Sequence, residues 1–546
     1  MGAIQIATGW LLLPLLTTSS LWKISASSAV GSFSSEGTAN VVRPHARNLR
    51  NAGSGSGSGS GSRFICLDTC NKARNGVCEE GRPGKVAVKT MQFMAYCDLG
   101  TDCEDCGPWS TTAVNVTWQD PKVIGPIQFL RVRDLQVRVR NAAVHPAIRF
   151  VFAYTDPQHD FDVSYHMENT GILEAGISTI VYQLLSKRCL REDGTRALVV
   201  DVGANFGWFA VMAARMGCRV IAFEPVPLFR SFLEYNIHLN DLSNLIEVRP
   251  LVVSHQTGKM LKMVVPARGI WGTAGIEGLN IDTSIQSDHQ TIEVPSVRLE
   301  DEIKSDVLLL KVDVEGWEWS VMDGAAGLLK KHLVENIIME YSPGVPERHF
   351  KFDQMLAHPD MLTTLISRYG YRIGHIGDAA KHISVGWDSP LGPLKEVSLD
   401  NLKYDIEDVN LWKDGQLACP TPPMLTNFTN WALCGGVPEG LSPRSFRSEF
   451  SHNTNIWAAK TGSATAGLMT LRGQSGILDP SDPPDKYFQT NGEGLGMGSR
   501  RCLGLDPKVQ VKHRCRCINP EVCGAEEEAV LRAVAEGLMP QNYVLK

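Results

Sequence analysis

The stretch from Leu198 to Pro225, LVVDVGANFGWFAVMAARMGCRVIAFEP, constrains the fold more than any other part of the chain. LVVDV is an unbroken apolar run closed by an acid, as expected of a strand buried on both faces. A glycine turn, an apolar helical stretch, the run RVIAF and the acid Glu224 follow. Strand, turn, helix and strand in that order build a βαβ unit. Further β-rich runs (LIEVRPLVV, DVLLLKVDVEG and NIIMEYS) recur up to about residue 390, several of them separated by helical stretches such as 226–240 and 316–331. The pattern predicts an α/β domain with a mostly parallel sheet covered on both faces.

The turn itself speaks to the ligand. A dinucleotide site uses G-x-G-x-x-G, whose second glycine lets the backbone approach a pyrophosphate. Here the glycines are Gly203 and Gly207, and Asn205 stands where that second glycine would be. Asp201 ends the first strand, and Glu224 ends the second, 23 residues later. An acid at the first strand end suits a ligand with ammonium and sulfonium charges better than one with phosphates. An acid at the second strand end accepts both ribose hydroxyls. Asp201, Gly203, Asn205, Gly207 and Glu224 therefore favour S-adenosylmethionine over NAD.

A second constellation lies in DVLLLKVDVEGWEW, from Asp306 to Trp319. Lys311, Asp313 and Glu315 alternate at the end of an apolar strand, so period two puts them on one face at its carboxyl end. Asp313 and Glu315 are candidates to take a proton from an acceptor or to orient it, with Lys311 as their charge partner. A structural ion pair is the plainer reading of Lys311, and a first-turn helix acid the plainer reading of Glu315. His166, His255 and His375 read as structural histidines. Trp317 and Trp319 read as core residues or as the wall of a sugar site. The long, glycine-rich stretch 264–291 reads as a lid or substrate loop.

Together VDVGANFG, AFEPVPLF, the N-x-x-L-N from Asn236 to Asn240, LLKVDVEGWEWSVMDGA and NIIMEYS resemble the FkbM-type S-adenosylmethionine-dependent methyltransferases over about residues 160–390. The resemblance implies a Rossmann-like class I methyltransferase fold and transfer to hydroxyl oxygens, often of sugars or other polyols. The upstream SYHMENTGILEAG is similar to the family's lead-in, and implies that Glu174 approaches the cofactor.

The flanks differ in character. Of 14 cysteines, six lie between Cys66 and Cys106 and six between Cys419 and Cys523. Their spacing does not make tidy zinc pairs, and two even clusters around a cysteine-poor middle predict disulfide modules and an oxidising compartment. In residues 63–108 the acids and amides Asp68, Asn75, Asp98, Asp102 and Asp105 alternate with glycines and cysteines, a donor set that suits calcium. YCDLGTDC and NGVC resemble a Notch-type calcium-binding repeat, which implies Asn75, Asp98, Asp102 and Asp105 as ligands. Solvated acids on a disulfide knot are the alternative. In FLRVRDLQVRVRN, Arg131, Arg133, Arg138 and Arg140 form a row that would meet an acidic substrate or simply face solvent. The basic stretch from Arg500 to Cys517 reads likewise as a solvated face or an anionic-glycan contact.

Residues 1–30 are mostly apolar and read as a signal peptide or a signal anchor, so membrane anchoring is expected only through them. Residues 31–62 end in a Gly/Ser repeat, a flexible stem of about 17 Å for ten residues. The remaining segments are 63–108 (cysteine-rich), 109–159 (β-rich), 160–395 (methyltransferase-like) and 396–546 (cysteine-rich). Sequons at Asn115 and Asn427 fit lumenal exposure. The formal net charge of −6 argues against a nucleic-acid partner. The expectation is a Golgi-lumenal or secreted O-methyltransferase acting on a glycan or other polyhydroxyl acceptor. The rivals are a glycan-binding protein on a silent methyltransferase scaffold and NAD-dependent sugar chemistry.

Overall fold

The computed structural model describes residues 63–82, 92–111, 127–281, 288–377, 386–413 and 446–474, apart from isolated positions within those ranges. A nine-stranded sheet organises them. Its spatial order is Ile246–Arg249, Arg219–Phe223, Leu198–Val202, Val307–Val312, Val334–Tyr341, Thr454–Lys460, Tyr371–His375, Leu394–Val397 and Leu471–Gln474. The first five strands are parallel. Thr454–Lys460 is antiparallel to both its neighbours, and Leu394–Val397 is antiparallel to Tyr371–His375 but parallel to Leu471–Gln474. The sheet is therefore mixed, where the sequence predicts a mostly parallel one. Antiparallel neighbours need no crossover helix, so β–α alternation does not announce them.

Strand alternation divides the interior into two cores. Leu198, Val200 and Val202 pack on one face with Ile221 and Leu310. Val199 and Leu309 pack on the other, beneath the helix Trp208–Arg215. The polar residues Asp201 and Lys311 are register partners on neighbouring strands, at the carboxyl ends and on the Val199 face.

Thr454–Lys460 belongs to the segment read from sequence as a separate cysteine-rich region, yet it is seated inside the sheet. Trp457 Nε1 donates to Asn336 Oδ1 at 3.0 Å, and Asn336 Nδ2 donates to Leu308 O at 3.1 Å and Thr465 Oγ1 at 2.7 Å. These partners are buried, so the strand is fixed by hydrogen bonds as well as by packing. The six cysteines from Cys419 to Cys523 lie outside the described residues, as do the apolar N-terminus, the stem, Asn115, Asn427 and the basic stretch from Arg500 to Cys517. Among the described residues no helix is long and apolar enough to cross a membrane.

The N-terminal cysteines pair as Cys66–Cys103, Cys70–Cys97 and Cys78–Cys106. The module they staple is docked on the core of the described residues. Its strand Gln92–Ala95 joins Val137–Asn141 and Val151–Tyr154 in a three-stranded sheet. Glu80 O accepts a hydrogen bond from Tyr235 Oη at 2.6 Å, on the helix Pro227–Leu239.

The expected calcium set is not assembled. Asp105 accepts from the amides of Asn75 and Gly76, and Asp102 from the amide of Glu79. Asn75 Nδ2 donates to Glu79. Asp98, Asp102 and Asp105 do not form one cluster, and these contacts tie the loops of the disulfide knot to each other instead. The arginine row is likewise structural. Arg138 pairs with Asp156 at 2.8 Å and Glu168 at 3.3 Å, and Arg140 is buried against backbone carbonyls. Arg133 lies over the Phe129 ring, and Arg131 is outside the described residues.

Cys189 and Cys218, unassigned by the sequence reading, form a fourth disulfide across 29 residues, just before the strand Arg219–Phe223. A loop of that length restrains the unfolded chain by about 3–4 kcal/mol in the chain-entropy account. Replacing both cysteines by serine is expected to lower the urea midpoint by a corresponding amount. An unchanged midpoint would show that this bridge does not restrain the unfolded chain.

Candidate active site

The site lies at the carboxyl ends of the parallel strands, where the helix that follows each strand begins. Gly203 has φ +82°, and a Cβ there would stand 1.8 Å from the Asp313 carbonyl oxygen. Only glycine lets the first strand's turn pass so close to the fourth strand's end. Gly207 is also left-handed, and a Cβ would strike Leu233. Asn205 has φ +51°, and its amide donates to Glu224 Oε2 at 2.7 Å. Glu224 Oε1 accepts from Val226 N at 2.8 Å. The turn therefore reaches across to the second strand's acid, and this amide is not left pointing outward for a phosphate.

Two adjoining cavities open here. The smaller is walled by Glu224, Phe229, Leu251, Ile276 and Trp317. The larger, about 440 Å³, is walled by Glu174, His166, Phe209, Lys311 and Glu340 and is of a size usual for small-molecule sites. Asp162, Gly203, Asn205, Gly272, Asp313 and Glu315 border both, so these residues mark the junction.

Part of the wall comes from residues 270–280 of the 264–291 stretch. Met260–Pro266 and His289–Val297 form an antiparallel pair. Between them Trp271 is buried, stacked on Phe229 at 5.8 Å and edge-on to Phe206 at 6.0 Å. Residues 282–287 lie outside the described part.

The charges converge on Lys311. Its Nζ donates to Asp313 Oδ2 at 2.7 Å. Burial disfavours the ammonium, but Asp313, Glu174 and Asp201 together outweigh that and hold its pKa above the ordinary lysine value. Asp201 is pushed up to about 6 by burial, against the pull of Lys311. Its Oδ2 is buried without a hydrogen-bond partner. Glu174, at the start of the helix Ala175–Leu185, is held up to about 7 by desolvation, again against Lys311.

Period two does not account for Glu315. The strand ends at Val312, and Glu315 turns back through φ +56°. Even so, carboxylate oxygens of Asp313, Glu315 and Glu340 lie within 4.8 Å of one another. Burial, then the charges of Asp313, Glu318 and Asp162, raise Glu315 well above the usual carboxylate range, and Asn280 donates to it. Glu340 is raised similarly by burial and by Glu315. Glu318, rather than Glu315, receives the amides of Val314 and Gly316.

The sequence reading missed Glu340 and Asp162 as site residues. Glu340 ends the next parallel strand, where Asp313 follows its own, so strand position was the available signal. Asp162 sits in a loop with no periodic signal. His166, read as structural, lines the larger cavity. His255 bonds Ser320 at 2.8 Å and His375 bonds Thr454 at 2.6 Å, both structural contacts. Trp317 lines the smaller cavity, whereas Trp319 stacks on His255 away from both.

Parallel strands ending in an acid, a glycine turn and a second acid, with joined cavities above them, make up the candidate site. Residues 201–373 match the family model described as the methyltransferase FkbM domain. Among solved structures, the chain is similar to methyltransferase FkbM from Methylobacillus flagellatus KT, with 16% identity over 35% of this chain and 44% of that one, and a TM-score of 0.22. It is also similar to an O-methyltransferase from Bacillus cereus in complex with SAH, with 14% identity over 37% of this chain and 74% of that one, at the same TM-score of 0.22. This chain thus spans less than half of the Methylobacillus protein. No curated protein matches it.

The raised acids make a pH prediction. Burial lifts Glu224 from 4.5 to about 8, and Asp201 from 3.8 to about 6. Each binds its proton more tightly folded than unfolded, so between pH 4.5 and about 8 the native state holds more protons. Stability then falls as pH rises through that window. The melting temperature of the ligand-free protein is expected to drop from pH 5 to pH 8 by about several degrees. Glu224→Gln is expected to flatten the upper part of that drop.

Proposed function

We propose that this protein is an S-adenosylmethionine-dependent O-methyltransferase of the secretory pathway, acting on a hydroxyl of a glycan or other polyol. The observation that carries the reading is the junction of the two cavities at Asp313, directly above the Gly203 turn. The residues present fit the cofactor. Glu224 would take the ribose hydroxyls, and the unpartnered Asp201 Oδ2 and Glu174 would complement the positive charge of the cofactor. When bound, S-adenosylmethionine supplies a methyl group already activated on a sulfonium.

The chain's own residues then have to place a hydroxyl and take its proton. Lys311 is held as an ammonium and is not the base. Glu315, raised well above the carboxylate range, serves as a hydrogen-bond donor to the acceptor. Asp313 borders both cavities and is oriented by Lys311, so it is the group placed to accept the proton. Residues 270–280, with Trp271 buried among them, keep water out while the hydroxyl is positioned. The four disulfides among the described residues support an oxidising compartment.

Asp201→Ala is expected to abolish the calorimetric signal for S-adenosylmethionine. Asp313→Asn is expected to keep cofactor binding and to lower transfer of labelled methyl by roughly 10²–10⁴-fold, the range for a lost general base. A well-folded wild-type preparation that gives no signal with the cofactor would sink the reading.

A further inference from the structure

We infer that the acceptor is rich in hydrogen-bond donors and carries no anionic group beside the reacting hydroxyl: a neutral or amine-bearing sugar, not a uronate, sulfated or phosphorylated one. The inference rests on the larger cavity being the acceptor site. Four carboxyl groups, from Asp162, Asp313, Glu315 and Glu340, face that cavity beside Glu174, which the proposed function assigns to the cofactor. Among the described residues that line it there is one lysine and no arginine.

Three donors of the wall are already turned toward those acids, while His166 and Asn205 line it as well. Lys311 donates to Asp313, Asn280 to Glu315, and Asn453 Nδ2 to Glu340 at 2.7 Å. An ionised carboxylate only accepts hydrogen bonds, and a protonated one donates a single bond. A polyol or amine satisfies such a wall. An added carboxylate or sulfate would meet acceptors and like charge, the arrangement that rejects wrong partners. The arginines read from sequence as a contact for acidic substrates do not change this, since Arg138 and Arg140 are engaged elsewhere in the fold.

The rim is a second and independent feature. Phe161, Tyr165 and Ile270 are 56%, 51% and 46% exposed. Phe161 and Tyr165 flank Asp162 and His166 in the chain, and Ile270 itself lines the cavity. Exposed apolar side chains on residues next to a cavity's lining suit a contact surface. A sugar offers both matching halves, C–H faces for the rim and hydroxyl donors for the acids.

The test uses the full chain loaded with S-adenosylhomocysteine on an array of neutral, amino, uronic and sulfated glycans, with and without chelator. Binding is expected on neutral and amino glycans only, unaffected by chelator. In Asp162→Asn/Glu340→Gln, the ratio of acidic to neutral signal is expected to rise about tenfold or more. Dominant binding of acidic glycans, failure to bind any neutral or amino glycan, or uronate binding that appears with magnesium overturns the inference. The wild-type pattern decides even if the double variant does not fold. Labelled methyl transfer is followed on the same preparation. Neutral-glycan binding without transfer counts against the O-methyltransferase reading and leaves the acceptor class standing.

Discussion

Lys311 sits beside Asp201 across two parallel strands and holds Asp313 at 2.7 Å, with Glu174 close enough to stabilise the same ammonium. The rest of the site depends on this buried cation. Without it, the acids at the strand ends would repel one another in a poorly solvated space. Breaking a buried pair by removing one partner typically costs about 3–5 kcal/mol. The lysine also sets the division of labour. It orients Asp313 at the junction of the cavities, while Glu315 and Glu340 are driven toward their protonated forms by burial and then by neighbouring carboxyl groups, Asp313 among them.

Backbone geometry makes that arrangement possible. Gly203 brings the first strand's turn against the carbonyl of Asp313, and Asn205 ties the turn to Glu224. Three successive strand ends are thus linked by contacts that involve few side chains. The disulfide module joins in from outside, because Tyr235, which bonds Glu80, belongs to the helix that starts just after Glu224. The module and the cofactor-side acid are connected through one helix.

Much of the core was legible in the sequence because buried parallel strands are written as contiguous apolar runs. Asp201, Gly203, Asn205, Gly207 and Glu224 could be placed from such runs; Gly203, Asn205 and Glu224 line the cavities, while Asp201 is buried beside Lys311 and Gly207 packs against Leu233. Lys311, Asp313 and Glu315 could be placed as a group, but Glu315 arrives by a left-handed turn that period two does not describe. Asp162 was not legible because it reaches the site from a loop. The calcium set is not assembled, since Asp102 and Asp105, which suit an ion, also suit backbone amides, and only the fold decides which they meet. The Cys189–Cys218 bridge was hidden by the cysteine-poor stretch around it, and Thr454–Lys460 by its cysteine-rich neighbourhood.

That last strand has a consequence for how the domain is made. Val334–Tyr341 and Tyr371–His375 are not neighbours in the sheet; a segment lying some eighty residues further along fills the gap between them. During synthesis the sheet therefore has an open seam until residue 460 has emerged. Before then Val334–Tyr341 presents an unpaired, apolar edge, the kind of surface that chaperones shield and that seeds aggregation. A polypeptide ending near 395, where the β–α pattern fades, would keep the acids of the site but leave that seam unclosed.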